Sequence, residues 1–161
     1  MTEKIKEIVP YIIIIVAVLL IRTFIITPVT VDGPSMEETL HSRDIMLLTK
    51  FNKNNLNRYD IIVFNRNKTK LVKRIIALPN ETIKCENGKI YINGEEMSNE
   101  YGYGENFDFQ EVKLKNDEYF VMGDNRGNSL DSRAFGPVYK SQILGKTSLI
   151  IFPITRIRFA K

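Results

Sequence analysis

Histidine and cysteine occur once each in this chain of 161 residues, as His41 and Cys85. A Ser-His-Asp triad therefore has almost no raw material, and a tetrahedral zinc site built from cysteine and histidine lacks its ligands. A single cysteine closes no internal disulfide, so the fold must stand on its hydrophobic core even in an oxidising compartment. Cys85 reads as a buried strand residue. Blocks of one charge are missing as well. The net charge is +4, of which residues 1–29 carry +1, and the rest is spread widely. No basic block interleaves with aromatics, which argues against nucleic acid as a partner. The chain also has no internal repeat and no low-complexity linker.

Only one long apolar run is present. Ile8 to Ile21 is apolar apart from the phenol of Tyr11, and after Arg22 the pattern resumes with Phe24, Ile25 and Ile26. Fourteen residues rise only about 21 Å, short of a hydrocarbon core of about 30 Å. Extension to Val29 gives about 33 Å, which suffices, with Arg22 close enough to the far end to snorkel. No small-x-small site follows in Thr27-Pro28-Val29-Thr30-Val31, so an uncleaved anchor over 8–29 is expected rather than a removable leader. Lys4, Lys6 and the amino terminus favour a cytoplasmic N-terminus, and Arg22 partly counters them.

Beyond the anchor the chain reads as short β segments with turn punctuation. Strands are expected over 44–50, 59–64, 70–78, 82–85, 89–92, 107–114, 119–122 and 147–152, with 154–159 alternating to the end. Asn87-Gly88 is a strong hairpin signal, because both residues tolerate positive φ. A polar loop, Asn52-Lys53-Asn54-Asn55, joins the first two strands, and residues 36–40 allow one helical turn. A hydrophobic content of 43% and a charged content of 26% are ordinary for one domain with a core.

The chemistry starts with Ser35, in the tight turn Val31-Asp32-Gly33-Pro34-Ser35-Met36. A serine is a nucleophile only if something nearby takes its proton. With histidine nearly absent, a lysine in an apolar strand is the other sensible base, and Lys73 sits in Leu71-Val72-Lys73-Arg74-Ile75-Ile76. Burial disfavours the ammonium, and lowering its pKa to 7–8 takes roughly 3 to 5 kcal/mol of desolvation. Lys73 and Arg74 point to opposite faces of such a strand, so only one of them enters a given pocket. Two snorkelled edge-strand charges are the alternative. A third segment, Gly123-Asp124-Asn125-Arg126-Gly127-Asn128-Ser129-Leu130-Asp131-Ser132-Arg133-Ala134-Phe135-Gly136, reads as an ordered polar site or as a solvated loop. Asp131 and Arg133 can pair if extended, and Asp124 can meet Arg74.

These three segments, in this order and behind an anchor, resemble the boxes of bacterial type I signal peptidases in their short Gram-positive form. The resemblance extends to Asp44 and to Tyr59-Asp60-Ile61-Ile62-Val63-Phe64, and covers nearly the whole chain. It implies a mostly β catalytic domain of the type shared with LexA-like self-cleaving repressors, over 30–161 and outside the cytoplasm. Residues 1–7 are then a short cytoplasmic N-terminus and 8–29 the transmembrane anchor. It further implies a Ser35 nucleophile, a Lys73 general base, and Ser129 hydrogen-bonded to that base. Asp131 and Arg133 become a bracing ion pair, with Asp124 and Arg74 in the same network. Met36, Leu40, Val31 and Val72 would line a shallow pocket for small side chains, and the oxyanion site would draw on Ser35 N and Gly33.

The implied partners are preprotein signal peptides, the lipid bilayer and a nearby secretion translocon, with no cofactor and no metal. Three positions depart from the family pattern. Gly33 stands where Gram-negative members often carry a serine, Glu38 replaces a usual proline, and Asn80 a usual glycine. Two other readings remain: a processing peptidase with a narrow client such as pilin, and a membrane-tethered binding domain without catalysis.

Overall fold

The computed structural model describes residues 3–50 and 55–160. Helix α1 (Glu3–Phe24) leads into β1 (Ile26–Thr30), β2 (Ile45–Thr49), β3 (Ile61–Arg66), β4 (Thr69–Ala77), β5 (Thr82–Glu86), β6 (Lys89–Ile92), β7 (Glu95–Glu96), β8 (Phe109–Lys113) and β9 (Glu118–Met122). A one-turn helix α2 (Ser132–Phe135), then β10 (Val138–Tyr139), β11 (Ile143–Phe152) and β12 (Arg158–Phe159) complete it. One sheet runs β1-β2-β11-β3-β4-β9-β10 with β12 paired to β11, and the smaller one runs β7-β6-β5-β8.

Sequence pattern accounts for most of these strands. β2 alternates, sending Met46 and Leu48 inward, whereas β3 buries Ile61 to Phe64 on both faces. Three clusters result. Ile76, Ile83, Phe120 and Met122 join the two sheets; Ile62, Phe64, Ile75 and Val121 lie under α2; Val31, Met36, Leu40 and Met46 lie under the β1–β2 turn. The hairpin expected at Asn87-Gly88 forms, with φ of 53° and 74° and Glu86 paired with Lys89. Asn80 takes the left-handed conformation at φ 67°, which a glycine would otherwise supply.

Two expectations are corrected. The helix does not run to Val29: it ends at Phe24, and Ile26–Thr30 pairs with β2. The β-branched residues Ile25, Ile26 and Thr27 favour a strand, and Pro28, lacking an N–H, is tolerated there because β1 is an edge. Residues 154–159 are not one strand but a 3-10 turn, Ile154–Arg156, followed by the two residues of β12, because Pro153 breaks the ladder after β11. Residues 52–54 of the expected polar loop lie outside the described residues.

The backbone of α1 is about 33 Å long by its helical rise, and every side chain described within it, over 7–23, is exposed. Among the described residues no helix is long and apolar enough to cross a membrane.

Phe120 is fully buried between the sheets and stacks on Phe109 with ring centroids 5.2 Å apart. Phe120→Ala should cost about 3–5 kcal/mol of stability, read as a lowered urea midpoint of the full chain. A shift under about 1 kcal/mol would mean that the small sheet is not held by this cluster.

Candidate active site

Three chain segments meet at Ser35. The first is the turn between β1 and β2, fixed from below by Met36 and Leu40, which are 1% and 0% exposed. Its backbone is closed by Glu37 N donating to Pro34 O and Leu40 N to Met36 O. Gly33, at φ 92°, gives the reversal that precedes the serine. The second segment is β4, which carries Lys73. β3 pairs with one edge of this strand from Thr69 to Arg74, while β9 pairs with the other edge only from Arg74 onward. The edge beside residues 69–73 is thus left open toward Ser35.

The third segment is 123–136. Asn125 N donates to Ser35 O at 3.1 Å, and Asn125 Nδ2 to Pro34 O at 3.2 Å, so this loop grips the backbone around the serine. Gly123 makes the approach possible: a Cβ there would collide with Ser129 Oγ and the Ser35 carbonyl.

Lys73 Nζ donates to Ser35 Oγ at 2.5 Å. The lysine is 3% exposed, and burial lowers its pKa from 10.5 to about 8, against the pull of the Asp131 and Asp124 carboxylates. Those carboxylates are themselves neutralised. Asp124 takes a two-pronged bond from Arg74, Nε at 2.8 Å and Nη2 at 2.7 Å, with both side chains 1% exposed. Asp131 accepts Arg133 Nε and Nη2, both at 2.8 Å, and Gly123 N at 3.0 Å. Burial pushes the Asp131 carboxyl up, but the bonds from Arg133 and Gly123 outweigh it and hold the group below the usual range. Asp131 and Arg133 do pair, but only Asp131 is extended, since Arg133 lies inside α2. Asp131 caps the first turn of α2, and Arg133 folds back onto it.

The bond expected from Ser129 to Lys73 is absent. Lys73 Nζ is turned to Ser35, and Ser129 Oγ is buried with no hydrogen-bond partner among the described residues. Its proximity to Asp131 still helps to hold that carboxyl down. A depression of about 90 Å³ opens beside the pair, lined by Val31, Met36 and Val72 along with Ser35 and Lys73. Leu40 does not line it. That side chain is fully buried in the cluster behind Met36. An adjoining hollow of about 220 Å³ continues along β1 past Pro28, Val29 and Thr30, facing Lys70 and Val72 of β4. Ser35 N makes no hydrogen bond among the described residues, while Gly33 N reaches Ser42 Oγ only at 3.5 Å. Among the described residues no group of three or more His, Cys, Asp or Glu is placed to hold a metal.

A buried lysine on a turn serine, held by a Gly-Asp-Asn-Arg loop, can be set beside known proteins. The model for "Signal peptidase, peptidase S26" matches residues 3–152. The chain belongs to this signal peptidase family. Signal peptidase I of Bacillus amyloliquefaciens is 42% identical over 93% of this chain and 89% of its own length. Signal peptidase I U of Bacillus subtilis strain 168 is 38% identical over 99% and 94%. The crystal structure of a signal peptidase I from Enterococcus faecalis V583 is 35% identical, with a TM-score of 0.52, over 57% of this chain and 96% of that one. The mostly β fold is thus that of the signal peptidases, in their Gram-positive type.

The family boxes explain why Asp124, Asp131 and Arg133 converge, yet several site residues went unassigned in the sequence. Thr39 Oγ1 donates to Asp124 Oδ2 at 2.5 Å, and the Tyr101 ring lies 4.1 Å from the Arg74 guanidinium. Arg126, 3% exposed, donates to Gly123 O, Asn99 Oδ1 and Asn106 Oδ1, tying loop 99–106 to the site. Asn125 and Arg126 stand inside the third box, so their presence was visible although their partners were not. Asn99, Tyr101 and Asn106 carry no local signal at all.

The lysine's position has a measurable cost. Unfolded, Lys73 titrates near 10.5, and folded near 8. Between those values the unfolded chain holds the extra proton, so stability rises with pH across that window, and below it the whole penalty of about 3 kcal/mol applies. Lys73→Met should therefore stabilise the protein at pH 7 by up to about 3 kcal/mol, a gain that shrinks toward zero as the pH passes about 10. Urea unfolding of both forms at several pH values decides the matter. Equal stabilities at pH 7 would mean that the ammonium carries no burial penalty.

Proposed function

We propose that Ser35 and Lys73 form the catalytic dyad of this chain, which is a peptidase that cleaves signal peptides. The observation that carries the assignment is the 2.5 Å contact between Ser35 Oγ and a lysine whose pKa burial lowers to about 8. In its neutral form Lys73 takes the hydroxyl proton as Ser35 attacks the scissile carbonyl, then returns that proton to the leaving amine. Water hydrolyses the resulting acyl-enzyme with the lysine again as base. The developing oxyanion meets Ser35 N, which is left free by the turn. Asp131, Arg133, Asp124 and Arg74 keep the segments in register, and Ser129 stands ready for the base when it turns.

The hollows beside β1 and β4 receive the substrate as an extended strand, its terminal side chain in the 90 Å³ depression. Exposed apolar side chains from Ile8 to Ile21 support α1 as a membrane anchor, with the domain from 30 onward outside the cytoplasm and near the export machinery. Anchoring beside the substrate's own apolar segment raises the effective concentration of the cut site. The intact dyad disfavours a binding domain without catalysis, and nothing in the site selects one narrow client.

Two measurements test this reading. Ser35→Ala should abolish processing of a purified preprotein, and the wild-type rate should rise with pH to a plateau above about pH 9 as Lys73 loses its proton. A rate flat across that range, or residual cleavage by the alanine variant, removes the dyad.

Specificity follows from volume. Space of about 90 Å³ holds about three water-sized groups, so the residue before the cut must be small. Changing that alanine to leucine forces packed side chains apart at about 1–3 kcal/mol, a loss of about tenfold to a hundredfold in kcat/KM. Equal cleavage of the leucine substrate would remove the pocket assignment.

A further inference from the structure

The end of α1 is fastened to the large sheet by more than chain connectivity. The last carbonyls of a helix have no donors within it. Here two of them are taken up by side chains from outside: Lys50 Nζ donates to Thr23 O at 2.9 Å and to Arg22 O at 3.4 Å, and Thr27 Oγ1 donates to Arg22 O at 2.9 Å. The main chain closes the joint, with Ile25 N on Ile21 O at 2.9 Å and Lys50 N on Ile25 O at 3.0 Å. The Lys50 ammonium also faces the negative end of the helix dipole. Lys50 follows the last residue of β2, and Thr27 lies in β1, so the two strands hold the helix end between them.

This joint fixes a distance. Beyond it β1 runs for five residues, about 17 Å, toward the turn that bears Ser35. One residue separates α1 from β1. The side-chain caps add to the two main-chain bonds of that single residue in holding the sheet, and Ser35 with it, against rotation relative to α1. A substrate whose apolar segment lies beside α1 must cover the same interval along β1 before its scissile bond meets Ser35.

We propose that Lys50 is a positioning residue that fixes the reach from the end of α1 to Ser35, and so sets how many substrate residues must separate the apolar segment from the cut. The proposal rests on the reading of α1 as a membrane anchor. Lys50 lines neither hollow of the proposed groove, and instead borders a third one of about 300 Å³ that meets the groove at Val29 and Lys70.

The test uses the full chain in liposomes and preproteins whose spacer between apolar segment and cut is varied from about three to about nine extended residues. A short soluble peptide with the same cut site serves as the reference. The wild type should show a narrow optimum of spacer length. Lys50→Met should cleave the soluble peptide within about threefold of wild type, yet lose about tenfold at that optimum and accept spacers about two residues longer or shorter. Lys50→Arg, which keeps a cationic donor, should restore the narrow optimum, and Thr27→Val should widen it more mildly. A narrow optimum unmoved in Lys50→Met overturns the joint alone. Loss of peptide cleavage in that variant also overturns it, because Lys50 then acts on the site itself. A wild type with no optimum removes the anchor reading and the proposal together.

Discussion

Keeping an amine out of water beside a serine hydroxyl is the constraint on which the rest of this structure depends, because water would restore the lysine to an inert cation. Strand β4 meets it by being covered on one edge by β3 and left open on the other for only the few residues next to Ser35. Open further, the strand would admit solvent; closed further, it would bar Lys73 from the hydroxyl. The same logic governs the carboxylates. Asp131 and Asp124 both pull the lysine toward its charged form, and each is committed to an arginine in two-pronged geometry. The ion pairs thus limit the charge that reaches Lys73, in addition to joining segments. Buried pairs of this kind are poor sources of stability in themselves, which agrees with a role in the site.

Neighbouring cations on one strand show how backbone geometry separates two chemistries. Lys73 turns toward Ser35, whereas Arg74, one residue later, turns to Asp124, to the Tyr59 carbonyl and under the Tyr101 ring. A guanidinium stays charged at any physiological pH, so it serves as a permanent brace. An amine can be neutralised by burial, so it suits the role of base that we propose for Lys73. Exchanging the two residue types would leave a base that cannot titrate and a brace that binds with one prong.

The sequence carried the parts of this site that depend on local pattern. Strand alternation in β2 and the Asn87-Gly88 turn each follow from a few adjacent residues, and the scarcity of histidine is plain from composition; together they point to a β domain in which a lysine is the base open to a serine. What stayed hidden depends on long-range placement. Nothing around Asn99, Tyr101 or Asn106 announces that Arg126 and Arg74 will draw that loop over the site. Apolar periodicity alone puts the end of the helix too late, because it cannot distinguish a continued anchor from an apolar edge strand. The decisive feature was the β-branched run Ile25-Ile26-Thr27 before Pro28. Leu40 has the right type and spacing for a pocket wall, yet its side chain lies one layer deeper than the depression beside Ser35.

Departures from the family pattern can be understood from how the serine turn is held. Glu38, in place of a proline, is exposed, and the turn is fixed instead by the buried side chains of Met36 and Leu40 and by bonds from Asn125. Rigidity that a proline would supply through its ring comes here from packing and from a second segment of chain. Gly33 sits at φ 92° with open space where a side chain would stand. A serine there would meet no steric wall but would have to adopt a backbone conformation that L residues avoid. A side-chain oxyanion donor therefore has no ready equivalent at this position, and in the mechanism we propose transition-state charge falls mainly on backbone N–H groups. Such donors are set by the fold rather than by a rotamer, so the demand for precision passes to the contacts that hold the turn: Met36 and Leu40 beneath it, Asn125 above it, and Gly123 behind it.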